Sequence, residues 1–313
     1  MKKLLLIFLI PISLCAESDI IVQENSDPWY TGPLLTGSPR VIPKGHVNME
    51  PYVLWTVTSG RYNSKGKVDK IPRIEQLNTQ FTFKLGLTEK SDLSGNIQSI
   101  FTQTRGRKGS SFGDLPLGID YQVLMPPKQS LIPRIKFSVG EIFPTGKYKH
   151  LNRDAFGVDG GGMGSWATFF ALTWGQVYQI KGVHWLSYRM AVATTFFTPV
   201  YVKGFTVYGG GPFTRGKVKP GTAFVFQAAF EYNLTRNWCF ACDFQAAFFQ
   251  KTKFSGRTLD PIGNPSSGQL SLAPAIEYNW NDAWGVIFGP WFTFKGRNSA
   301  KFISYIIAVD YTY

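Results

Sequence analysis

The sequence predicts an all-β chain, a transmembrane antiparallel up-and-down barrel of about twelve strands behind a cleaved leader. Three observations predict it. Apolar and polar residues alternate with period two through most of the chain, the signature of strands with two different faces. Short connections alternate with long ones. The last strand, KFISYIIAVDYTY, carries Tyr305, Ile307, Val309, Tyr311 and Tyr313 on one parity and runs to the final residue. Such a face suits lipid on one side and an aqueous lumen on the other.

Composition agrees. Aromatics make up 16% of the 313 residues and charged residues only 17%, an excess and a deficit against soluble averages. No stretch beyond the leader approaches the ~20 apolar residues of a spanning helix. Lipid cannot satisfy the open edges of a sheet, so a membrane chain without such helices must close into a barrel. The competing class is a secreted all-β protein with an aromatic core.

At the amino end Lys2 and Lys3 precede LLLIFLIPISL and then Cys15-Ala16-Glu17. A charged start, a short apolar run and a small-residue exit read as a secretory signal over residues 1–16. Leu14 stands where a lipoprotein signal wants a small residue, so Cys15 does not argue for lipidation. Residues 17–45 form a Pro/Gly-rich segment that either plugs the lumen from the periplasmic side or hangs free, with contact to the barrel expected. The barrel occupies 46–313.

Strands are expected at about 46–59, 75–88, 93–104, 113–126, 131–143, 162–178, 184–199, 222–234, 237–250, 267–280, 283–296 and 301–313. In TAFVFQAAFEYNLT, Phe224, Phe226, Phe230, Tyr232 and Leu234 oppose Gln227, Glu231 and Asn233. The short connections are 88–92, 126–130, 180–184, 235–237 and 281–282. The long ones are 60–74, 105–112, 144–161, 200–221 and 251–266, with a final tight turn near 297–300. Short periplasmic turns alternating with long extracellular loops are the rhythm of a barrel with both ends in the periplasm. A Greek-key sandwich has no reason to keep it.

Charge follows the same map. Outward faces are nearly free of ionisable residues in mid-strand, where a Lys or Arg would cost ~2–4 kcal/mol. Inward faces carry Lys84, Asp120, Arg134, Lys136, Arg189, Glu231, Asp243, Glu277 and Asp310, the candidate lumen-lining residues. Facing one another across the lumen, they either line a polar path or lock the barrel shut. Trp55, Tyr178, Trp185, Trp238, Trp280 and Trp284 mark strand ends as interfacial girdles. The formal net charge of +13 raises nucleic-acid binding, but no basic helix or known nucleic-acid fold accompanies it. The cations instead crowd the long connections: Arg61, Lys65, Lys67, Arg105, Arg107, Lys108, Lys147, Lys149, Arg215, Lys217 and Lys219. Attraction to phosphates of the outer-leaflet lipopolysaccharide and a funnel for anionic solutes are the two explanations.

No pattern calls for a cofactor, a metal or a catalytic site. His46, His150 and His184 are scattered. Cys239 and Cys242 sit three apart on a strand and so on opposite faces. GPFTRGK at 211–217 has phosphate-loop spacing, but Val218 stands where Ser or Thr should be, and neither a strand before nor a helix after frames it. A phospholipase-like enzyme would need His184 and Ser187 together, yet they lie on opposite parities.

Two stretches, FGDLPLGIDYQV at 112–123 and FSVGEIFPTGKY at 137–148, are followed by FGVDGGGMGS and preceded by GPLLTGSPRVIPKGHVNMEPY. Together they resemble an outer-membrane transporter-like family named for the meta-pathway of phenol degradation. The resemblance implies a porin-like channel or transporter for small, often hydrophobic or aromatic solutes in a Gram-negative outer membrane. It supplies no binding residue. The strand ending at Tyr313 is similar to the signal read by the outer-membrane assembly machinery. Two alternatives remain beside transport: a structural or interaction barrel that binds glycolipid or a host partner through its basic loops, and a barrel enzyme.

Overall fold

The computed structural model describes residues 28–313, so the expected signal at 1–16 lies outside the described residues. Among the described residues sixteen strands occur in order: β1 Val47–Tyr62, β2 Val68–Thr88, β3 Ser91–Thr104, β4 Arg107–Phe112, β5 Leu115–Leu124, β6 Arg134–Phe143, β7 Ala167–Lys181, β8 His184–Phe197, β9 Val200–Lys203, β10 Arg215–Lys219, β11 Ala223–Asn233, β12 Trp238–Phe249, β13 Lys253–Arg257, β14 Ser267–Asn279, β15 Trp284–Arg297 and β16 Ala300–Thr312. Twelve of them form an antiparallel circuit, β1-β2-β3-β5-β6-β7-β8-β11-β12-β14-β15-β16, with β4 extending the β5 wall upward against β3.

The circuit closes between the first and last strands. Val53 pairs Ile307 and Asn48 pairs Thr312, and the Val47 and Tyr313 backbones exchange hydrogen bonds. Closure leaves no open edge, as a spanning sheet requires. Side-chain direction follows parity. Tyr305 and Ile307 are exposed, whereas Ser304, Ile306, Ala308 and Asp310 are buried inside. The same belt of exposed apolar side chains continues through Val53, Leu77, Phe101, Phe137, Leu172, Val192, Phe230, Ile276 and Phe288. An exposed apolar band of this extent identifies the lipid-facing wall of an outer-membrane barrel.

The structure corrects four expectations. Residues 60–74 and 105–112 are not long loops. β1 and β2 continue pairing past a bulge at Thr58/Gly60, through Arg61↔Asp69 and Tyr62↔Val68, and β4 pairs β3 from Thr104↔Arg107 to Ser99↔Phe112. Beyond the lipid a strand needs no apolar face, so its pattern fades while its ladder persists. Arg61, Arg107 and Lys108 therefore stand on strand extensions. Gly113-Asp114 interrupts a strand instead of opening one. Residues 200–221 and 251–266 contain a separate three-stranded sheet, β13-β10-β9, so Arg215, Lys217 and Lys219 are strand residues too. Trp185 is no girdle residue: it shares the inward parity of Ser187 and is buried. Trp55, Trp238, Trp280 and Trp284 are exposed.

Candidate functional site

One end of the barrel carries the short connections 89–90, 182–183, 234–237 and 280–283 together with Tyr313. In outer-membrane barrels this end is periplasmic. Residues 28–46 enter there and cross the lumen before joining β1. The Trp29 carbonyl accepts the side-chain amides of Asn233 and Asn279, and Arg236 lies over the Trp29 ring at 4.3 Å. Short Pro-rich sequence explains why this stretch forms no strand of its own: Pro28, Pro33, Pro39 and Pro43 offer no N–H to a ladder.

Its backbone donors are instead taken by inward-facing side chains. The Thr31 amide donates to Glu277 Oε2 at 3.1 Å. The Thr36 amide and hydroxyl both donate to Asp243 Oδ1, at 2.9 and 2.7 Å, and the Leu35 amide donates to Asp243 Oδ2. The Val41 amide donates to Gln122 Oε1, and the Ile42 amide to Asp92 Oδ2 at 2.6 Å. Buried backbone groups must find partners, and a carboxylate accepting from N–H is among the stronger ones. Gly32 has φ +101°, and a Cβ there would lie 3.0 Å from a guanidinium nitrogen of Arg189. Only glycine suits both demands.

Leu34 supplies the apolar anchor. It is buried in a socket of Ala241, Ala273, Ala275, Ile287, Ile306 and Ala308, with Leu35, Tyr52, Leu54 and Trp291 packed around it. The alanines of β12, β14 and β16 make room for one leucine. Burying a Leu side chain contributes about 1.5–3 kcal/mol.

The predicted inward charges divide into groups. Asp243 and Glu277 hold the N-terminal segment. Lys136 pairs with Asp120 at 2.8 Å, and Arg189 with Glu231 at 2.9 Å, all four largely or fully buried. These pairs join neighbouring strands, β5 to β6 and β8 to β11, so the expectation that they meet across the lumen is corrected: the nearest opposite charge is one strand away. Asp310 accepts from Asn48 at 2.6 Å. Arg134 Nε donates to the Pro126 carbonyl at 3.4 Å. Lys84 lines a cavity of about 660 Å³ with Glu50, Gln80, Thr82 and the N-terminal segment. Gln122 and Asp92 were missed by sequence reasoning, although both carry the inward parity of their strands.

A second cavity, about 500 Å³, lies at the other end between Thr58, Ile74 and Gln76 of the wall and Met163, Tyr208, Pro220 and Asn264 of the long connections. Along β1 the inward side chains pass from Glu50, Tyr52 and Leu54 on the lower cavity to Thr58 on the upper. Between the two levels Trp291 meets Phe302 edge to face at 4.8 Å, and the Trp291 indole donates to Ser271. Leu54, Trp291 and Phe302, on the adjoining strands β1, β15 and β16, thus make an apolar patch on one side of the inner wall, with Leu54 and Trp291 facing the lower cavity.

The predicted loop cations also have places. Lys147 pairs with Asp159 at 2.6 Å, Lys149 lies over the Tyr148 ring and Arg105 over Phe156. Lys65 and Lys67 flank a tight turn whose amides donate to Asn63 Oδ1. The Asp159 carboxyl is partly buried, which pushes its pKa up. Donation from Lys147 and the Asn152 amide outweighs that and holds it below the usual carboxylate range.

No catalytic constellation forms at the candidate pair. Ser187 donates to Glu231 inside the barrel, while His184 stacks on Tyr232 and its Nδ1 contacts the Asn233 carbonyl. Among the described residues no group of His, Cys, Asp or Glu is placed to hold a metal ion.

No family model and no curated protein matches the chain. Solved structures do. An outer membrane channel from Pseudomonas putida F1 superposes with a TM-score of 0.68 at 12% identity, covering 88% of this chain and 98% of that one. The β domain of the Bordetella autotransporter Brka (TM-score 0.47, 8% identity, 86% of this chain and 100% of that one) and the CymD monoaromatic hydrocarbon channel (0.36, 11%, 87% and 88%) share less of the architecture. At 12% identity the likeness to the first of these establishes the fold alone, a closed antiparallel β-barrel.

Proposed function

We propose that the protein is a channel for small apolar or aromatic solutes, held closed by its own residues 28–45. The carrying observation is the apolar cluster of Leu34, Leu54, Trp291, Phe302 and Ile306 inside the barrel, where Leu34 of the N-terminal segment packs against the wall. Hydrophobic constrictions gate by excluding water, so ions meet a barrier there that small apolar solutes do not. The name of the solved Pseudomonas putida F1 structure, an outer membrane channel, agrees with this reading. Lys136, Asp120, Arg189 and Glu231 are paired between neighbouring strands, and Asp243 and Glu277 hold the N-terminal segment, which leaves the apolar cluster and the segment to set permeation.

The segment is the movable part. It belongs to no strand, and polar contacts from Asp92, Gln122, Gln227, Asn233, Asp243, Glu277 and Asn279 hold it. The test is flux of a small aromatic such as toluene into proteoliposomes, read beside planar-bilayer ion current. The reading expects toluene entry and little ion current for the natural chain, with both rising when residues 29–40 are deleted. Absence of either flux in both proteins would refute it.

A further inference from the structure

Two extracellular connections that look unstructured in sequence meet as the sheet β9-β10-β13. Its two faces differ completely. Val200, Val202, Val218 and Tyr208 are buried, with Phe254 and Ile262 packed against them, on the side toward the barrel mouth, where Tyr208 lines the upper cavity. The other face bears Lys203, Arg215, Lys217, Lys219, Lys253 and Arg257, all exposed, and none of the three strands contains an acid.

Register makes this more than a basic surface. Arg215 lies directly opposite Lys203 on one side and Arg257 on the other, and Lys219 lies directly opposite Lys253. Like charges placed directly opposite destabilise a sheet. Cross-strand neighbours sit roughly 5 Å apart and same-face neighbours along a strand roughly 7 Å apart. The Cα positions of the cations therefore form a fixed two-dimensional array. The Arg215 guanidinium is further fixed by donation from Nε to the Tyr201 hydroxyl at 2.6 Å. A fixed guanidinium keeps its remaining N–H groups for a bidentate acceptor.

We propose that this face is a binding site for the phosphorylated saccharide headgroup of the outer-leaflet glycolipid. Three observations select that occupant. The sheet stands at the loop end of an outer-membrane barrel, the end that faces the outer leaflet. Its cations point away from the upper cavity, so they do not line the solute path. A ligand with several phosphates on a rigid sugar frame matches several cations held at fixed spacing and removes the repulsion between them. The site is independent of the channel reading, because it serves a barrel whether or not the lumen conducts.

The experiment uses the full-length folded barrel in detergent, with fluorescently labelled lipopolysaccharide as the probe. Natural protein is compared with the triple variant Lys203→Gln/Arg215→Gln/Arg257→Gln. A matched control, Lys65→Gln/Lys67→Gln/Lys70→Gln, removes equal charge from the β1–β2 hairpin. Heat-dependent gel mobility establishes that each barrel is folded, and the single variant Arg215→Gln serves if the triple one is not. The proposal expects binding at least ten-fold weaker in the sheet variant and less than two-fold weaker in the control. It also expects weak binding of chemically dephosphorylated lipopolysaccharide to natural protein. Equal loss in the two variants, undiminished binding of the dephosphorylated probe, or inorganic tripolyphosphate binding as tightly as lipopolysaccharide would each overturn it.

Discussion

The carboxylate of Asp114 accepts the Gly146 amide at 2.9 Å on one oxygen and the Met163 amide at 2.7 Å on the other. Thr145, beside Gly146, returns a hydroxyl bond to the Gly113 carbonyl at 2.9 Å. Gly-Asp, Pro-Thr-Gly and the glycine-rich loop, three separate motifs in sequence, are thus one clasp where β4 gives way to β5. Asp114→Ala removes both acceptors and is expected to cost about 1–3 kcal/mol, because two amides each lose a hydrogen bond worth about 0.5–1.5 kcal/mol. Asp114→Asn keeps one acceptor and should lose less. The temperature at which heat-dependent gel mobility changes provides the check, and a wild-type value for the alanine variant would contradict the clasp.

The Lys136–Asp120 pair is buried inside the wall. Lys136→Met leaves Asp120 without its cation and should destabilise the barrel by about 3–5 kcal/mol. Adding Asp120→Leu to it should recover most of that loss, since an apolar pair of similar volume avoids the buried charge. Urea unfolding of the four proteins in a double-mutant cycle reads the coupling directly. Additive losses would contradict it.

Leu34 occupies a socket made by small residues. Leu34→Ala should leave the barrel folded and loosen the N-terminal segment, because the strands close without it. Ala273→Phe should fill the socket and displace the segment in the same way. Hydrogen exchange over residues 30–42 is the measurement. Faster exchange there, with unchanged exchange in β14, is the expected result for both.

The Lys147–Asp159 contact gives the extracellular loop a pH dependence. The carboxyl's folded value lies below the ordinary one. Its contribution is therefore complete above the ordinary carboxylate range and is lost as pH falls through the folded value. Exchange over residues 147–159, corrected for the intrinsic rate, should rise below about pH 4, near the unperturbed Asp value. In Asp159→Asn it should be high at neutral pH already.

Barrel strands were legible because lipid and lumen impose opposite chemistries on alternate residues. Tyr305 and Asp310 sit on the faces their parity dictates. The strand extensions at 60–74 and 105–112 were not legible, since beyond the lipid the exposed face carries charged residues such as Arg61 and Lys108, and the apolar-polar alternation is lost. Inward direction was readable for Asp243 and Glu277, but their partners were not. Those partners are backbone amides of Leu35, Thr36 and Thr31, and a backbone donor leaves no mark in sequence. Arg215 and Arg257 are 42 positions apart, so only the fold brings their charges side by side.

The central claim is that residues 28–45 close the lumen through Asp243, Glu277 and the Leu34 socket. Single-channel current across a planar bilayer tests it most directly, for the natural chain and for Asp243→Ala/Glu277→Ala. The account predicts rare, small openings for the natural chain and frequent, several-fold larger ones for the variant. Identical current from the two folded proteins, whether both large or both absent, would contradict it.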